Sequence, residues 1–93
     1  MIPGPVGYKN LAASGAAFSG QGQIFGVVLT AGSDAATAIV YDNTAGSGTV
    51  VCKLAAAAAN TTAVVEIPNG VAVGKGAYVA LTGTTPSCTV FGG

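Results

Sequence analysis

The chain predicts an all-β fold: a single small antiparallel β-sandwich, Ig-like or jelly-roll-like, of seven or eight strands behind an N-terminal extended arm. Three observations predict it. Short runs rich in Val, Thr, Ile, Tyr and Phe recur along the chain. Gly, Asn, Ser or Pro interrupts them every roughly 8–14 residues, the spacing of a sandwich or barrel rather than of βαβ units. Several runs also alternate with period two, as a strand with one dry face does.

Residues 1–7 contain Pro3, Gly4, Pro5 and Gly7. Prolines without amide donors and glycines without conformational preference read as a flexible arm. Residues 8–93 then form the sandwich domain. Strands are expected at 8–13, 23–30, 37–42, 49–54, 62–67, 77–82 and 87–91, with a short eighth piece at 71–73. In 49–54, Val50, Cys52 and Leu54 share the dry face and oppose Thr49, Val51 and Lys53. In 62–67, Ala63, Val65 and Ile67 oppose Thr62, Val64 and Glu66. In 77–82, Ala77, Val79 and Leu81 oppose Tyr78, Ala80 and Thr82. The alanine run at 55–59 favours helix by propensity. It is shorter than the roughly 12 residues an isolated helix needs, so it reads as an extended or irregular link.

Two runs break the alternation. Residues 24–29 and 37–41 are apolar on both faces. An apolar outer face must be covered, either by the arm or a loop or by another subunit. Alanine and glycine dominate the composition and Trp is absent. Such small side chains bury little area at about 25 cal/mol per Å², and oligomerisation is a usual remedy for a thin core.

The charge pattern narrows the chemistry. Charged residues make up 6% of the chain and the formal net charge is zero, against about 25% charged in ordinary domains. No electrostatic footprint for nucleic acid or an anionic membrane exists, and no apolar run reaches the roughly 18 residues of a membrane span. The N-terminus lacks the basic and apolar regions of an export signal, so Cys52 and Cys88 are expected as free thiols on a core face. Histidine is absent, which removes the commonest general base and transition-metal ligand. The stretch Gly70-Val-Ala-Val-Gly74-Lys75-Gly76 invites comparison with a phosphate-binding loop. It is one residue short of that motif, lacks the Ser or Thr after the lysine, and precedes a strand instead of a helix. It reads as a tight turn between strands. No catalytic, metal or cofactor residue is assigned, and the chain is expected not to be an enzyme.

The order of motifs carries a resemblance. Tyr8-Lys-Asn-Leu11, Ser19-Gly-Gln-Gly-Gln-Ile-Phe-Gly-Val-Val-Leu29, Ile39-Val-Tyr-Asp-Asn-Thr-Ala-Gly-Ser-Gly-Thr-Val50, Gly76-Ala-Tyr-Val79 and Thr89-Val-Phe91 follow one another. This order resembles a group of small β-sandwich virion proteins of tailed bacteriophages. Their hallmark is a Tyr-Asp-Asn turn before a Ser-Gly-Thr strand start, with a late Gly-x-Tyr/Thr-Val strand. The likeness covers most of residues 8–91, and its motifs are structural. The alanine run departs from it, where a more polar link is expected.

The resemblance implies a capsid decoration (cement) protein that stabilises the head lattice non-covalently. It would be assembled in the host cytoplasm and would contact the major capsid protein and itself, as a homo-trimer. The alternative is a tail or fibre module that binds a host-surface glycan or protein. Either way the candidate interface is Ile2, Pro3, Pro5 and Val6 of the arm with Thr37, Ile39 and Tyr41, which share the face that the core need not use.

Overall fold

The alternating runs and the turn residues between them become eight strands in the computed structural model, which describes residues 7–93. These are β1 Tyr8–Leu11, β2 Gly15–Ser19, β3 Gly22–Thr30, β4 Ala36–Asp42, β5 Thr49–Ala56, β6 Thr62–Val73, β7 Gly76–Thr82 and β8 Ser87–Gly92. They form two four-stranded sheets, ordered β1-β8-β3-β6 and β2-β7-β4-β5, and every pairing is antiparallel.

This order is that of a jelly roll, not of an Ig domain. The pairs β1/β8, β2/β7, β3/β6 and β4/β5 lie across one long antiparallel ribbon whose tip is the loop at 43–48. Wrapping that ribbon on itself brings β8 beside β3 and β7 beside β4 and closes two Greek keys. The described residues span 37 × 27 × 16 Å, the slab expected of two sheets packed about 10 Å apart.

One face of each strand fills the space between the sheets. Ile24, Val27, Leu29, Val40, Val79, Cys88 and Val90 are almost fully buried, with Ala36, Ala38 and Ala77 among them. Core-facing alanines leave each strand little area to bury, so the core is made thin by composition.

The structure revises four local expectations. First, β2 stands where no strand was expected. Its sequence, Gly-Ala-Ala-Phe-Ser, has weak β-propensity, and pairing with β7 supplies the strand. Second, the runs at 62–67 and 71–73 are one strand, β6. Residues 67–70 bulge from it opposite Phe25, which is itself extra on β3. Gly70 makes that bulge possible: its φ is +75°, and a Cβ there would lie 2.9 Å from the Phe25 ring. Third, a bulge at Val51 turns Val50 to the outer face, opposite Tyr41, while Cys52 and Leu54 stay inward. A single extra residue reverses the phase of everything beyond it. Fourth, the first two alanines of the 55–59 run, Ala55 and Ala56, finish β5. The rest is an irregular link tied to neighbouring backbone by Asn60 N to Gly32 O and Ala31 N to Thr61 O.

The expected phases of 62–67 and 77–82 are those observed. Ile2, Pro3, Pro5 and Val6 lie outside the described residues. Gly7, just before β1, is tied to the end of β8, because its carbonyl accepts from the Gly92 amide at 2.8 Å.

Candidate functional surface

The outer face of the second sheet is built from the strand periodicity of β4. Ala36, Ala38 and Val40 point inward, so Thr37, Ile39 and Tyr41 must point outward. The register adds their neighbours in three rungs. Thr37 lies between Thr82 and Ala55, Ile39 between Ala80 and Lys53, and Tyr41 between Tyr78 and Val50. Ala16 extends the last rung beyond Tyr78. The result is mainly apolar, with the hydroxyl pair Thr37/Thr82 at one end and Lys53 as its one charged side chain. Thr37, Ile39, Lys53 and Ala55 line a hollow of about 290 Å³ on it.

Part of this face has intramolecular cover. The glycine-rich loop at 43–48 folds back so that a Cβ on Gly46 would meet the Tyr78 ring at 3.2 Å. Asn43 shapes the loop by donating from Nδ2 to the Ser47 carbonyl at 2.7 Å and accepting from the Thr44 amide at 2.8 Å, as a turn-forming Asn does. The loop therefore lies against Tyr78, while in the next rung Ile39 and Ala80 are half-buried and Lys53 is exposed. On β3, the bulge at Gly70 covers Phe25 in the same way.

Sequence reasoning missed the opposite face. On the first sheet one rung reads Tyr8, Phe91, Gly26, Glu66, and the next Asn10, Thr89, Val28, Val64. Tyr8 is 71% exposed and Val64 54% exposed. The Tyr8 and Phe91 rings lie 6.3 Å apart and tilted. Asn10 donates from Nδ2 to Ser87 Oγ at 2.9 Å and Thr89 Oγ1 at 2.8 Å. Gly26, itself buried, places no side chain between Phe91 and Glu66. A Cβ there would lie 3.3 Å from the Val65 carbonyl and 3.9 Å from the Phe91 ring. Residues far apart in sequence make this face, so only the pairing of β1, β8, β3 and β6 reveals it.

The Gly-Lys-Gly stretch is a turn between β6 and β7, as expected. Its amides do hold an anion, but an internal one: the Asp42 carboxylate accepts from Gly74 N at 3.1 Å and Lys75 N at 2.9 Å. The amides of Lys75 and then Gly74 hold the Asp42 carboxyl below its ordinary value of 3.8. Cys52 and Cys88 are both free, half-buried and buried respectively. Burial, with the neighbouring Cys52 as a smaller cause, pushes the Cys88 thiol up to about 11. Among the described residues no three His, Cys, Asp or Glu side chains come together as metal ligands would. Comparison with protein-family models, with curated proteins and with solved structures found no match.

Proposed function

We propose that this chain is a structural protein of a tailed-phage virion, a decoration or cement protein that stabilises the head lattice by burying apolar surface against the major capsid protein and copies of itself. The observation that carries the reading is the nearly uncharged, mainly apolar outer face around Ile39, Ala80 and Ala55, with exposed Tyr8, Val64 and Phe91 on the face behind it. Surfaces of this kind on a small domain mark protein contacts. Jelly rolls also recur in viral capsids, which supports the reading by analogy of fold alone. The resemblance of the motifs points the same way. A homo-trimer on the threefold positions of the lattice is the arrangement proposed. The action is non-covalent throughout, with no bond made or broken.

The exposed Tyr8/Phe91 ring pair beside Asn10 favours a second reading, a tail or fibre module whose aromatic platform stacks on a host-surface glycan. Co-sedimentation with undecorated capsids separates the two. Saturable binding with density on the head lattice supports the decoration role. Absence of head binding, together with density at the tail of whole particles, overturns it.

A further inference from the structure

Among the described residues each outer face carries a single charged side chain, and the two charges are opposite. On the second sheet it is Lys53, opposite Ile39. On the first sheet it is Glu66, opposite Gly26. Neither has an ion partner across its own rung. Glu66 stands two strands from Phe91 on one rung, with the buried Gly26 of β3 between them and Tyr8 on the strand beyond Phe91. An exposed carboxylate and exposed aromatic rings on one rung form a surface that attracts a cationic side chain. The carboxylate supplies the charge-assisted hydrogen bond, and the ring faces attract the ammonium. Lys53 suits that surface: it lines the apolar hollow with Ile39 and Ala55 and is itself exposed.

We infer that copies of this chain associate head to tail, the second-sheet face of one against the first-sheet face of the next, with Lys53 of one copy paired with Glu66 beside the Phe91 ring of its neighbour. A slab face of 37 × 27 Å has room for the roughly 800 Å² per partner that stable interfaces bury. Two different patches meeting is a heterologous contact, and because these two lie on opposite faces of the slab it propagates as a stack of copies, a contact separate from the proposed trimer. The inference rests on the assembly reading above only for its choice of partner, a second copy.

The test is a charge-reversal cycle on the purified full chain. Mass would be followed by light scattering and sedimentation against protein concentration, with circular dichroism to show that each variant is folded. The wild type should exceed the single-chain mass of 8.8 kDa. Lys53→Glu and Glu66→Lys should each weaken association by about tenfold or more. The double variant should recover most of that loss, because it restores the pair with its signs exchanged. Raised salt should weaken the wild-type contact. A wild type that stays at single-chain mass overturns the inference, as does a folded double variant no better than the singles. Capsid binding is read separately. Monomeric variants that still bind capsids leave the decoration role standing while the head-to-tail contact fails. Head-to-tail assembly without capsid binding does the reverse.

Discussion

The carboxylate of Asp42, at the end of β4, accepts a hydrogen bond from the backbone amide of Lys75 at 2.9 Å, and so one sheet strand holds the turn that joins β6 to β7. The neighbouring Gly74 amide adds a bond at 3.1 Å. These bonds favour the ionised carboxylate and depress its pKa. A group depressed in the folded state stabilises fully above its unfolded value, here 3.8, and loses that contribution as pH falls through the lower folded value. The melting temperature should therefore drop as pH is lowered from about 4. Asp42→Asn should melt lower than the wild type at pH 7 and lose this part of the acid dependence, read by thermal melts across pH 2–7.

The two glycines beside Lys75 are not equivalent. Gly76 has φ +136°, and a Cβ there would lie 2.6 Å from the Phe18 carbonyl. A Cβ on Gly74 would meet nothing within 4 Å. Gly76→Ala should cost more than about 1 kcal/mol in denaturant unfolding. Gly74→Ala should change stability by less than about 0.5 kcal/mol or raise it slightly. Equal costs would show that the turn differs from the one described.

Burial separates Leu29 from Val64, which occupy inner and outer faces of the same sheet. Leu29 is fully buried, and Val64 is 54% exposed. Leu29→Ala should destabilise by about 2–5 kcal/mol, enough to leave a thin-cored domain partly unfolded. Val64→Ala should stay within about 0.5 kcal/mol. Chemical denaturation of both variants measures the contrast.

The thiols should be silent in the native protein. Burial raises both, Cys88 to about 11, so neither is a thiolate at neutral pH, and the thiolate is the reactive form. A thiol reagent at pH 8 should react slowly with native protein and then with two thiols per chain after denaturation. Fast native reaction would place a thiol at the surface.

Ile39 points away from the core, opposite Ala80 and Lys53. Ile39→Asp should leave the sandwich folded, by circular dichroism, while abolishing capsid binding and lowering the measured mass. Loss of folding instead would mean that the rung of Ile39 supports the core.

Much of this molecule was legible from residue order, because strand pairing in a sandwich requires period-two alternation and alternation is local. The phases of 62–67 and 77–82, the outward set Thr37, Ile39 and Tyr41, and the Gly74-Lys75 turn all follow from neighbours in sequence. The alanine link was readable as non-helical because its length falls short of a stable helix. Other features depend on what a strand lies against, which no local pattern contains. Gly15–Ser19 became β2 because β7 offered it a ladder. Val50 turned outward because one extra residue, Val51, fits opposite β4 only as a bulge. The choice of jelly roll over Ig order, and with it the face that gathers Tyr8, Phe91, Gly26 and Glu66, came from β8 inserting between β1 and β3. Alternation sets which side of a strand is dry. Only the long-range ladders, with strands up to the length of the chain apart, decide which dry and wet sides come to lie together.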